Sequence, residues 1–441
     1  MTRLANAVTA RVRNNSRQRR YGVTLLSAAL TLVGLAVAGT PAVASTPGNA
    51  RPATLIPGSD RLSSVYCTAS TDCWAVGVRE SQASALLNQI VHWNGQKWTA
   101  AAAVPNPAGT KMGDFSELVA VRCTSASNCW AIGSYDNPTS SGVQALHWNG
   151  KKWGQTSTPM PGGTGLGDFT DLNDVACTSA SSCWIVGDYG NDGLSSGKTL
   201  NLALHWNGKK WFKVTIPNPA GTKASDVNFL DTIRCASPKD CWAAGSAGIE
   251  SSVSIQVNEM LHWNGSKWSE ADVPSPGGIL PGSTSSIDSL SCTSASNCWA
   301  VGSYGGESIS SVELLNDALH WNGHQWSQAT TPNPDGTAVG DLNELVSVNC
   351  SAATNCWAVG SIGSTSGGGA QTGEVLHWKG TKWTQAKAPN PGGTGSGDET
   401  SLDSVRCVSQ KDCWMVGYSK NGNDPDLNLI LHWNSVKWSA S

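Results

Sequence analysis

Fourteen cysteines and twenty-one tryptophans are the residues of this chain with the most chemistry to offer, and all of them fall in one repeated pattern. Seven times the sequence reads Cys-x5-Cys-Trp and, about 20 residues later, His-Trp-Asn-Gly-x-x-Trp or a close variant of it. The cysteine pairs are Cys67 and Cys73, Cys123 and Cys129, Cys177 and Cys183, Cys235 and Cys241, Cys292 and Cys298, Cys350 and Cys356, and Cys407 and Cys413. Two thiols on either side of a five-residue turn such as Thr124 to Asn128 end one strand and begin the next, at a separation a disulfide spans. A zinc ion held by both thiolates and the following histidine is the rival reading. Its spacing is unusual for zinc, and an oxidising compartment favours the disulfide.

Seven of the eight histidines stand directly before a tryptophan; His324, in a hairpin turn, is the exception and is expected to be exposed. Tryptophan faces stack on sugar rings, so seven such units invite a multivalent lectin. A residue recurring at one strand position in every copy is more economically a packing element, with the histidine bonding between strands and the indole filling an interface. Catalysis needs a one-off constellation of acid, base or nucleophile. The repeat leaves none, so no catalytic residue, cofactor or metal is expected.

These residues need elements to hold them, and the second copy shows which. Leu118–Cys123, Cys129–Ser134, Gln144–Trp148 and the run from Trp153 read as four short strands bounded by turn residues. Asn149-Gly150 supplies the positive φ of a tight hairpin between the third and fourth. Lys379 replaces that asparagine in copy six and Ser435 that glycine in copy seven, so those turns should be the least regular. Trp130 and Ile132 point to one face of their strand, Ala131 and Gly133 to the other. Sheets this small bury their apolar faces only by stacking on neighbours. Repeats 54 to 58 residues apart, without helical periodicity, predict an all-β fold, a seven-bladed β-propeller of four-stranded antiparallel blades forming one domain over residues 62–441. A linear β-solenoid has shorter coils and atypical caps.

Residues 1–44 read as a signal peptide: six arginines, an apolar run from Val23 to Ala38, and Ala42-Val43-Ala44 as a cleavage site. The apolar run is shorter than a membrane span needs, so no stable anchor is expected after cleavage. Removal leaves 23 of the 29 basic residues against all 32 acidic ones, a net charge near −9. Such a surface repels phosphate backbones, and nucleic acid is not an expected partner. Residues 45–61 form a linker in which Ala53–Pro57 resembles the segment that follows the fourth strand in other copies. It is a candidate closing strand for the seventh blade.

The Cys-Trp-Ala-Val-Gly and His-Trp-Asn-Gly-x-x-Trp units resemble the tandem repeats of uncharacterised secreted bacterial β-propellers, and more loosely those of kelch and Asp-box propellers. The likeness spans Leu62 to Trp438 and implies the propeller shape and a secreted setting. It carries over no catalytic residue. Sialidase-type propellers use arginines and a tyrosine–acid pair that the repeat does not place.

Strand polarity puts the cysteine turns and Asn-Gly turns at one rim. The second-to-third connections and the inter-blade linkers lie at the other, where loops are longer and vary. Tyr135, Tyr189, Tyr304 and Tyr418 follow the second strand at that long-loop rim and are the candidate ligand-binding residues. Asp114, Asp168, Asp341 and Asp398, in Gly-Asp steps ahead of the first strand, are read first as turn caps and second as weak calcium or hydroxyl contacts. The expectation is a monomeric, secreted, extracellular binding or scaffold protein for a glycan or protein ligand; the alternatives are a multivalent lectin or a glycan-cleaving enzyme.

Overall fold

The computed structural model describes residues 60–165, 168–190, 198–249, 255–308, 311–364 and 369–441. The expected leader and the candidate closing strand Ala53–Pro57 lie outside these residues. The described residues form 28 β-strands and no helix, in seven sets of four that follow the seven sequence copies. In the second copy the strands are Phe115–Ser125, Asn128–Asn137, Ser140–Trp148 and Trp153–Thr156. They pair antiparallel in chain order. Single parallel bridges, Leu86 to Phe115 and Leu314 to Leu342, link the third strand of one set to the first of the next.

The second and third strands run further than the sequence suggests. Tyr135–Gly142, expected as loop, is ladder, with Tyr135 opposite Gly142, and Tyr304 pairs with Leu315 inside another long hairpin. Tyrosine, leucine and serine at these positions accept the pleated conformation, so pairing continues beyond the repeated motif.

Each sheet buries both faces. Trp130 and Ile132 pack with Leu172, Val175 and Leu204 of the third set, while Ala131 packs with Trp74 and Val76 of the first. The alternation along one strand therefore reaches two different neighbours. The Cys-Trp indole of each set wedges against two indoles of the next: Trp74 on Trp148 and Trp153, Trp130 on Trp206 and Trp211, and Trp299 on Trp378 and Trp383, with ring centroids 4.6–5.3 Å apart. Trp414 of the last set makes the same wedge on Trp93 and Trp98 of the first, and Leu62, Val65, Trp414 and Val416 share one core cluster.

The innermost strands are laced in the same order. Ser64, Thr232, Ser289 and Ser347 each accept a backbone N–H from the first strand of the next set, at Val121, Leu290, Val348 and Val405. Ser404 accepts from Val65, joining set seven to set one. The backbone bond from Asp60 N to Asp426 O makes the same junction.

The two cysteines of every copy sit opposite each other and are bonded. Ser435 adopts φ 74°, the left-handed conformation that glycine supplies in the other six turns, and Asn434 Oδ1 accepts from Val436 and Lys437 as its counterparts do, so this turn keeps the common geometry instead of the irregularity expected of it.

Candidate functional site

The repeated polar groups are consumed by the scaffold. In each copy the histidine Nε2 bonds the residue just before the second cysteine: Asp72, Asn128, Ser182, Asp240, Asn297, Asn355 or Asp412. Its ring lies on the Cys-Trp indole, at 3.9 Å in the His377–Trp357 pair. Burial holds His147, His205, His320 and His377 below the ordinary imidazole value, His377 at about 4 with Lys379 adding to the effect. The following tryptophan donates Nε1–H to a carbonyl of the cysteine turn, as from Trp148 to Ala126. That bond brings the two turn types to one rim, and the opposite rim carries the longer hairpins.

The four candidate tyrosines occupy four different sheets, and no ring contact among the described residues joins them. Tyr135 is half-buried across Gly142, whose missing side chain leaves room for its hydroxyl. The Tyr189 hydroxyl accepts from Lys213 Nζ at 2.6 Å. Tyr304 is half-buried, and burial, reinforced by the charges of Asp317 and Glu313, pushes its phenol up. Tyr418 is different. It stands five residues after its cysteine where the others stand six, so it faces the other side of the sheet. It is buried, under the Arg61 guanidinium at 4.1 Å, and donates to Glu399. Lys420 bonds Glu399 at 2.6 Å and Arg61 bonds Asp426 at 2.6 Å, completing a charged knot at the seam between sets seven and one. The sequence did not place this tyrosine–acid pair; the two residues are 19 apart and meet only through strand pairing.

The Gly-Asp aspartates are turn caps. Asp114, Asp168, Asp341 and Asp398 accept from the backbone N–H three residues earlier, at 2.7–2.8 Å.

A buried polar column runs between neighbouring sheets. Asn88 and Gln144 exchange two amide bonds, 2.7 and 2.9 Å. At the same register Asn201 meets Glu259, Asn258 meets Asp317 and Asn316 meets Glu374, each through the asparagine Nδ2. The asparagine Oδ1 and the second carboxyl oxygen lack a partner in all three pairs. A proton on the carboxyl satisfies both at once and reproduces the reciprocal geometry of Asn88 and Gln144. Burial drives the carboxyls the same way: Asp317 up to about 7, Glu374 to about 8, and Glu259 well above its usual value. Where the asparagine is replaced, by Val143 and Gly373, the next set carries Leu202 and Leu429 at the position of the amide or carboxyl.

The inner strands carry the charge that differs from copy to copy. Toward the long-loop rim stand Glu117, Asp171 and Glu344, then Asp231, Asp288 and Asp403 one step further in; burial raises Glu117 to about 7, with Arg61 opposing and Asp403 adding. Toward the cysteine turns stand Tyr66, Arg122, Arg234 and Arg406, each immediately before the first cysteine of its copy. Arg122 and Arg406 cover the Tyr66 ring at 4.7 and 4.2 Å. Aligning the seven copies on that cysteine puts all four residues in one column, a signal the sequence held.

No protein-family model matches this chain, and no curated protein matches it in sequence. Among solved structures it is similar to the GH74 xyloglucanase from Xanthomonas campestris, with a TM-score of 0.50 and 12% identity, over 87% of this chain and 55% of that one. The chain thus spans about half the length of that enzyme. It is also similar to the β-propeller domain of the trilobed protease from Pyrococcus furiosus (TM-score 0.45, 9% identity, 86% and 96% covered) and to the Aleuria aurantia lectin (0.39, 13%, 74% and 93%). The architecture is that of a β-propeller: all-β, built from repeated four-stranded antiparallel sheets.

Proposed function

We propose that this protein is an exported, closed seven-bladed propeller that binds an extracellular glycan or protein at its long-loop rim and performs no chemistry on it. The observation that carries this reading is the division of labour among side chains. Cysteine, histidine and tryptophan are spent identically in every copy on bonding and stacking, whereas Tyr135, Tyr189 and Tyr304 vary by copy and stand half-buried toward the opposite rim. An aromatic face with a hydroxyl suits sugars and peptides alike. Export accords with seven disulfides and with the leader-like start of the chain.

The tyrosine–acid pair does not argue for an enzyme. Burial pushes the Tyr418 phenol far above its usual range, with Asp403 and Glu399 adding to the effect against Arg61, and Glu399, the carboxylate that would take its proton, is bonded by Lys420 and held below its ordinary value, which makes it a weak base. Tyr418 is therefore a structural residue here, and its replacement would disturb the seam. A screen of glycans and secreted proteins with the purified mature chain tests the reading. The combined change Tyr135→Ala, Tyr189→Ala and Tyr304→Ala should abolish any binding found while leaving the melting temperature nearly unchanged. Binding that survives it, but is lost on changing Lys97, Lys152, Lys210 and Lys267 at the cysteine-turn rim, places the ligand on the other side.

A further inference from the structure

Arg122, Arg234 and Arg406 come from sets two, four and seven, yet they share one level of the inner strands with Tyr66. Their charges are poorly answered. Among the described residues Asp174 is the carboxylate seen to pair with them, bonded by Arg234 Nη1 and 4.0 Å from Arg122 Nη2. Asp174 is also engaged by Thr232 Oγ1 and by the backbone N–H of Ile233, 3.2 and 3.0 Å away, and by its neighbour Val175. Arg122 spends its Nε on the Val175 carbonyl at 3.2 Å. Arg406 Nε is buried with no hydrogen-bond partner. Three guanidiniums against one carboxylate leave about two positive charges in a confined place, where like charges repel strongly.

The fold does not ask for them. At the same position the other copies carry Ala176, Ser291 and Asn349; Ser291 Oγ and Asn349 Oδ1 simply accept the N–H of Cys350 and Cys407 in the next set. A small or neutral residue therefore completes the blade, and three arginines at this level are an addition to it.

We infer that the cysteine-turn end of the axis is a binding site for an oxyanion, a sulfate, phosphate or carboxylate group, held by Arg122, Arg234 and Arg406 around Tyr66. Planar guanidiniums present forked donors that match such groups, and the open Arg406 Nε supplies a donor already stripped of water. The electrostatics agree: burial, with Arg234 repelling, depresses Arg122 to about 9, and burial with the same repulsion lowers Arg406. An anion relieves both. Burial alone would raise the Tyr66 phenol, but Arg406, Arg122 and Arg234 together bring it below its ordinary value, so the field at this level favours negative charge.

The site is separate from the long-loop rim, and its test does not depend on that reading. Titration calorimetry of the mature protein with sodium sulfate, sodium phosphate and sodium glucuronate, at constant ionic strength made up with chloride, should give saturable binding of one anion per chain for at least one probe. Tighter binding of glucuronate than of the inorganic ions identifies the acidic group of a glycan as the natural occupant; the reverse order identifies a free anion. Arg406→Met should weaken binding at least tenfold. Arg406→Lys, which keeps the charge and the contact with Tyr66 but lacks Nε, should weaken it several-fold and remains informative if the methionine variant does not fold. The three rim tyrosine changes should leave it intact. Absence of saturable binding for all three probes, or equal affinity in wild type and both Arg406 variants, overturns the inference.

Discussion

The cysteine-turn rim and the inner strands are built from the same seven copies, yet one is uniform and the other is not. At the rim every copy repeats one arrangement: disulfide, histidine on indole, and indole wedged into the next sheet. On the inner strands, equivalent positions hold tyrosine, arginine, alanine, serine and asparagine. Uniformity at the rim follows from geometry, because each sheet must meet the next at the same distance and angle. The inner positions satisfy their backbone bonds with small polar residues, so any larger or charged group there is free of the demands of packing. The difference separates what holds the molecule together from what it has available for recognition.

The sharpest way to break this comparison is to cut a uniform element. Trp357 is fully buried between the rings of His377, Trp433 and Trp438. Trp357→Ala should cost about 3–5 kcal/mol and lower the melting temperature by roughly 5 °C, measured by calorimetry. A loss below about 1 kcal/mol would mean that the wedges are not what joins the sheets.

A second test lies between the two regions, in the asparagine–carboxyl pairs of sets three to six. Folding raises Glu259, Asp317 and Glu374 above their unfolded values of 4.5, 3.8 and 4.5. Between the unfolded and folded values the native state holds more protons, so stability falls as pH rises; the contribution is complete below the unfolded values and is lost as pH rises through about 7 for Asp317 and about 8 for Glu374. A tenfold difference in proton affinity between the folded and unfolded chain is worth about 1.4 kcal/mol. Folding lowers Asp72 and Glu399 instead, and their contribution is lost only as pH falls below the ordinary carboxylate range. The depressed histidines act in the opposite sense between pH 5 and pH 7, and Glu117 in the same sense, so a buried pair is isolated by comparing urea unfolding of wild type and a variant at pH 5 and pH 9: wild type should lose more stability between the two values. Glu374→Gln, which copies the amide pair of Asn88 and Gln144, should remove part of that dependence. The same pH dependence in Glu374→Gln as in wild type would show that Glu374 is not held protonated.

Much of this was legible in the sequence because the scaffold repeats. The cysteine pairing, the four strands, the two faces of the second strand and the role of the histidines all follow from residues that recur within one copy, where spacing alone sets the contacts. The extra strand length at Tyr135 and Tyr304 was not legible, since it lies beyond the motif where each copy differs. Nor was the burial of Tyr418, which turns on a shift of one residue. The asparagine–carboxyl pairs and the arginine level join residues more than 50 apart. They become visible only when copies are aligned and neighbouring sheets are known to pack in order. Arg122, Arg234 and Arg406 otherwise read as three unrelated surface charges.

The most direct measurement is the melting curve of a variant in which the inner level is made as plain as the rest of the repeat allows: Arg122→Ser, Arg234→Ser and Arg406→Ser, with Asp174→Ser so that no carboxylate is left unpaired. Serine already occupies these columns at Ser291 and at Ser64, Ser289, Ser347 and Ser404. If the uniform elements hold the propeller and the inner charges are surplus to it, this variant should fold and melt within about 2 °C of wild type, or above it. A melting temperature lower by roughly 5 °C or more, the loss expected for a wedge tryptophan, would contradict the account and make the arginines part of the scaffold.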